Sequence, residues 1–148
     1  MGRIGLKRSL LSTEETLALG REVAQLVPSN AILALLGNLG AGKTTFVQGL
    51  ALGLGVLETV QSPTFVLFNN YSDRLFHFDL YRLKDPKDFT NLGFEEYFDK
   101  EGICAIEWPQ RIASLLPKRT IQILFAHDST GGRTVEISFP TSANEQSA

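Results

Sequence analysis

Eight consecutive residues, Gly37-Asn-Leu-Gly-Ala-Gly-Lys-Thr44, carry the strongest chemical signal in the chain. They fit the pattern Gly-x-x-x-x-Gly-Lys-Thr, whose glycines let successive backbone amides turn into one concavity and donate to phosphate oxygens. The lysine of that pattern reaches the β and γ phosphates, and the hydroxyl that follows it is a hard oxygen ligand suited to magnesium. A turn that merely joined strand to helix would need neither side chain. Asn38, Leu39, Gly40, Ala41, Gly42, Lys43, Thr44 and Thr45 are therefore read as the cradle of a nucleoside triphosphate, with Lys43 on the phosphates and Thr44 on the metal.

Magnesium held by phosphate, water and one or two protein groups calls for an acid from another element. Two stand out. Glu107 follows the apolar run Ile103-Cys-Ala-Ile106, and Asp79 follows Leu75-Phe-His-Phe78, so a sheet could hold each carboxylate at a strand end. Glu107 is assigned to the metal shell, and Asp79 to the metal or to a water. His77, Asp79 and Tyr81 alternate and would share one face of a strand; His77 suits a structural role better than a catalytic one. Arg82 could neutralise phosphate or serve a salt bridge or partner contact. Thr64, after Ser62-Pro63, offers a hydroxyl that could sense phosphate or water, although a turn entering a strand would look the same.

The elements that must position these residues follow from periodicity. Ser12 and Glu15 form a capping box that opens a helix, with Thr16, Leu19, Gly20, Val23, Leu26 and Val27 on its packed face and Pro28 as its stop. Ile32 to Leu36 reads as a buried strand that enters the glycine loop directly, and a helix follows Gly42 to about Leu52. Thr64 to Tyr71 and Leu75 to Tyr81 read as a hairpin. Asp85-Pro86 starts one broken helix or two short ones, with Leu92, Phe94, Tyr97 and Phe98 as packing candidates. Pro109 opens a helix with Ile112, Leu115 and Leu116 on its packed face, and Thr120 to Ala126 with Arg133 to Phe139 makes a second hairpin around Gly131-Gly132. Arg3 to Leu10 is an edge strand or an arm. Together these predict a three-layer α/β/α phosphate-loop NTPase fold with a mixed, mostly parallel central sheet and antiparallel hairpins, in one domain over 1–140 with a flexible tail over 141–148.

Bulk properties narrow the function classes. The chain has 148 residues, 43% hydrophobic and 20% charged, and a formal net charge of -2. It lacks the basic stripe through which a dedicated nucleic-acid binder neutralises phosphates. The single cysteine, Cys104, sits in an apolar run and suits a small buried hydrophobe; it can form no internal disulfide. Neither a signal peptide nor a membrane span of about 18 apolar residues is expected, which predicts a cytoplasmic protein without membrane contact.

Four segments in this order, Gly37-Asn-Leu-Gly-Ala-Gly-Lys-Thr-Thr-Phe46, Ser62-Pro-Thr-Phe65, His77-Phe-Asp-Leu-Tyr-Arg82 and Ile106-Glu-Trp-Pro109, resemble the TsaE family, formerly YjeE. With compatible flanks the resemblance spans roughly residues 5 to 140. It implies an ATPase that assists the TsaD–TsaB complex, which installs threonylcarbamoyl on adenosine 37 of tRNA; the TsaE member hydrolyses ATP and reaches tRNA indirectly, through that complex. By this likeness Gly40, Gly42 and Lys43 hold ATP, Thr44 holds magnesium, Asp79 and Glu107 are the family's site acids, Thr64 is switch-like, and Trp108 stands beside the site. Two other functions use the same loop: a small-molecule kinase, and an interaction module that ATP controls without turnover. A GTPase is disfavoured, since no Asn-Lys-x-Asp segment is present.

Overall fold

Ile32–Leu36 (β2), nearly unbroken in apolar residues, lies at the centre of the sheet in the computed structural model of the chain. That structure describes residues 3–37, 40–127 and 132–140. Asn38 and Leu39 of the cradle, Gly131 of the second hairpin and the tail expected at 141–148 lie outside the described residues. The remaining strands are β1 (Arg3–Leu10), β3 (Phe68–Tyr71), β4 (Leu75–Asp79), β5 (Ile103–Glu107), β6 (Ile121–His127) and β7 (Arg133–Pro140). They form one seven-stranded sheet in the order β1-β7-β6-β2-β5-β4-β3. The middle four, β6-β2-β5-β4, are parallel, and both margins are antiparallel. The parallel strands therefore end along one edge, where the phosphate loop, Asp79 and Glu107 emerge.

Side chains alternate between the faces of this sheet and build two cores. Leu33, Leu35, Leu75, Ile103 and Ala105 face α1 (Thr13–Leu26) and α2 (Gly40–Gly53), while Ile32, Phe76, Phe78, Cys104 and Ile106 face the opposite layer. The opposite layer holds α3 (Pro86–Asn91) and two 3-10 helices, Phe94–Asp99 and Pro109–Leu115. The three layers are those expected. By parity, His77, Asp79 and Glu107 belong to the face that α2 covers. Cys104 is buried on the other face, and the loss of hydration pushes its thiol up to about 12.

Several local expectations change. Glu15 takes the amide of Leu11, not that of Ser12, while Ser12 accepts from the Glu15 amide. Leu26 and Leu92 are exposed, and Ala24 occupies the packed face of α1 instead. Gly93, with φ +78, separates α3 from the first 3-10 helix, so the segment is two short helices. The segment after Pro109 is 3-10 and not α, with Ile112 out of helical geometry. Between β3 and β4, Ser72 and Asp73 both have positive φ and Arg74 N–H returns to the Tyr71 carbonyl, the geometry of a type I′ hairpin turn.

The packing of α1 on α2 depends on two glycines. A Cβ on Gly20 would lie 2.3 Å from the Phe46 carbonyl oxygen, and one on Gly49 would lie 2.3 Å from that of Leu17. Gly49→Ala must push the helices apart. Overpacking costs about 1–3 kcal/mol, and alanine's better helix propensity returns at most about 1 kcal/mol. A lower urea midpoint at unchanged slope is the expected result. A midpoint equal to that of wild type would show that the interface yields without cost.

Candidate active site

The glycine loop is built against β6. Gly37 has φ +122, and a Cβ there would meet the Phe125 carbonyl oxygen at 2.5 Å; Gly42 lies against the Phe125 ring, which its Cβ would approach at 3.3 Å. Only glycine fits the first position on both counts. α2 then begins at Gly40, earlier than the expected start after Gly42. Its first amides have no partners within the helix and form the positive end of its dipole, which suits an anion. Thr44 and Thr45 stand half-buried at the start of its second turn.

Lys43 is 3% exposed. Its Nζ donates to the Gly37 carbonyl at 2.5 Å and lies 5.3 Å from the Trp108 ring centroid. No carboxylate among the described residues pairs with it. A buried ammonium held by one carbonyl and one aromatic face is undercompensated, and an anion would complete it.

Asp79 and Glu107 are register partners on β4 and β5, each 5% exposed. The Oδ2 of Asp79 accepts from Thr64 Oγ1 at 2.8 Å and Ser62 Oγ at 3.5 Å, and its Oδ1 accepts from the Tyr81 amide at 3.1 Å. These bonds overturn the strand expected from Thr64. Residues 64–67 form a turn, in which the amides of Val66 and Leu67 return to the Pro63 carbonyl and Leu67 takes φ 71. Strand β4 likewise stops at Asp79, so Tyr81 does not share the face of His77 and Asp79; it lies half-exposed, 5.0 Å from the Trp108 ring. Arg82 stacks its guanidinium 4.7 Å over Phe65, on the same turn. His77 is fully buried and bonds through Nε2 to Glu107 Oε2 at 2.7 Å.

The pairing of Ser62 with Asp79, and of His77 with Glu107, was not read from the sequence. Strand register would have revealed the second, because it aligns Asp79 with Glu107 and leaves His77 on their face. Trp108 takes a left-handed backbone, φ 60 and ψ 49, immediately before Pro109. That conformation is strained for a non-glycine residue, and it accompanies the placement of the indole beside Lys43. Thr44, Asp79 and Glu107 offer only oxygen donors, a set that fits magnesium and would bind a thiophilic metal poorly. Among the described residues no group of three or more His, Cys, Asp or Glu could hold a metal ion, and no helix is long and apolar enough to cross a membrane.

Residues 10–135 match the family model described as threonylcarbamoyl adenosine biosynthesis protein TsaE. The chain belongs to the TsaE family. Curated relatives agree with this membership. The tRNA threonylcarbamoyladenosine biosynthesis protein TsaE of Treponema pallidum is 41% identical over 128 residues, covering 85% of this chain and 95% of its own length. That of Bacillus subtilis is 39% identical over 142 residues, covering 94% and 87%. The crystal structure of Bacillus subtilis YdiB superposes with a TM-score of 0.82 at 32% identity, over 99% of this chain and 93% of that one. The family is one of tRNA threonylcarbamoyladenosine biosynthesis. In this TsaE-family chain the matched span holds the glycine loop, both acids, His77, Thr64 and Trp108.

Proposed function

We propose that this chain is a cytoplasmic, magnesium-dependent ATPase whose turnover supports a TsaD–TsaB complex in threonylcarbamoylation of tRNA adenosine 37. The observation that carries the ATPase reading is the buried Lys43 ammonium at the head of α2, beside Trp108 and hence beside the strand end that bears Glu107. A cation preorganised in a water-poor site stabilises charge that develops on a transferring phosphoryl group. Lys43 and the amides opening α2 bind the triphosphate in this reading. Thr44 and Glu107 would hold magnesium, which supplies charge neutralisation on the phosphate oxygens when bound. Asp79, fixed by Thr64 and the Tyr81 amide, orients a water or a metal ligand. The TsaD–TsaB partnership rests on membership of the family, and contact with tRNA is indirect.

Reconstitution tests both halves. The chain should release phosphate from ATP without passing it to a panel of small acceptors, and should sustain multiple rounds of tRNA modification when added to its TsaD and TsaB counterparts. Efficient transfer to a small acceptor would replace the ATPase reading with a kinase. Equal repeated modification without this chain would remove the supporting role.

A further inference from the structure

Among the buried polar groups around the site, His77 lies beneath the two acids and bonds to Glu107. We infer that it is a positioning residue for Glu107: its Nε2–H grips Oε2 and thereby fixes the carboxylate, leaving Oε1 as the oxygen available to magnesium or to a water bound there. The inference rests on the ATPase reading of the site.

Packing does not explain the residue. His77 is 0% exposed on a face shared with Leu75, Ile103 and Ala105, where an apolar side chain would fill the space without polar atoms to satisfy. Among the described residues its ring makes one hydrogen bond, at 2.7 Å, to Glu107. The other ring nitrogen, Nδ1, is buried without a hydrogen-bond partner among the described residues. A proton on Nδ1 would be a buried donor with nothing to receive it, so the arrangement assigns the proton to Nε2 and leaves Nδ1 bare. The imidazole thus acts as a single fixed N–H donor aimed at the acid. Asp79 is treated in a parallel way, with Thr64 gripping one of its oxygens. Register places the two acids side by side, so each is oriented by a different neighbour. A carboxylate at a strand end has several rotamers, and a donor anchored in the rigid floor of the sheet selects one. Partners of this kind typically change metal affinity or activity by about 10–100-fold when removed.

The test compares His77→Gln, whose side-chain amide can present an N–H near the place of Nε2, with His77→Leu, which packs but donates nothing. Fluorescently labelled ADP is titrated with and without Mg2+, and ATP turnover is followed against Mg2+ concentration. His77→Leu should raise the Mg2+ needed for half-maximal nucleotide binding and turnover by about 10–100-fold, with ADP affinity in EDTA unchanged. His77→Gln should stay close to wild type in both. Urea denaturation reports whether each variant is folded. Should His77→Leu not fold, His77→Asn, whose shorter amide falls short of Glu107, takes its place with the same expected loss. Unchanged Mg2+ dependence in a folded non-donor variant overturns the inference while leaving the ATPase reading intact. Equal losses in the Gln and Leu variants overturn it too, by showing that only the ring's shape matters. A wild-type chain with neither Mg2+-linked ADP binding nor phosphate release overturns the ATPase reading itself, and the inference with it.

Discussion

Lys43→Ala is expected to lower ATP turnover by at least about 10²–10³-fold, the usual consequence of deleting one preorganised donor to a developing oxyanion. The side chain is 3% exposed, so its charge acts where water screens it little. Its Nζ is held at the start of the glycine loop by the Gly37 carbonyl. The fold should survive, because α2 is anchored by Phe46, Val47 and Leu50, all fully buried against the sheet and α1. Lys43→Arg keeps the charge but replaces a compact ammonium with a broad planar fork, and the space between Gly37 and Trp108 does not suit it. It should recover little of the lost turnover. Phosphate release at saturating ATP, with urea denaturation alongside, measures both quantities. A folded Lys43→Ala protein that turns over ATP at the wild-type rate would remove the basis of the proposed function.

Signals confined to a few neighbouring residues were legible in the sequence. The apolar run of β2, the glycines and the Lys-Thr pair follow one another without interruption, so the loop could be placed from spacing alone. Glu107 was legible for a similar reason, since four buried residues precede it on β5. The misreading of Thr64 to Leu67 has a nonlocal cause. Thr64, Phe65 and Val66 have strand propensity, but Thr64 spends its hydroxyl on Asp79, and the backbone turns around Pro63 to let it do so. Propensity cannot anticipate a bond between residues 15 positions apart. The grip of His77 on Glu107 spans 30 positions and depends on β4 lying beside β5, a fact of sheet order. Order was not legible either. β1 ends the sheet, as one of the two readings of residues 3–10 had it, but nothing in that stretch marks β7 as its antiparallel neighbour.

Asp79→Asn should separate charge from architecture more cleanly than any other change at the site. The asparagine oxygen can face the Tyr81 amide as Oδ1 does now, while its amide nitrogen faces Thr64, whose hydroxyl can reverse from donor to acceptor. The two shorter of the three local bonds survive in that orientation, and the long one from Ser62 can be replaced by its 2.7 Å bond with Thr64, so residues 62–67 should keep their turn and stability should move little. What disappears is a negative charge at the end of β4, beside Glu107. If Asp79 orients a water or a metal ligand through that charge, turnover should fall by about 10²-fold or more with the turn intact. Thr64→Val makes the complementary change: the carboxylate keeps its charge but loses the hydroxyl at 2.8 Å. The turn should then open more readily, and chymotrypsin should cut sooner after Phe65, which is 83% exposed. Proteolysis and phosphate release therefore respond in opposite proportion in the two variants. Wild-type turnover in Asp79→Asn would demote the carboxylate to a strut for the turn, whereas lost turnover with unchanged proteolysis would assign it to the chemistry.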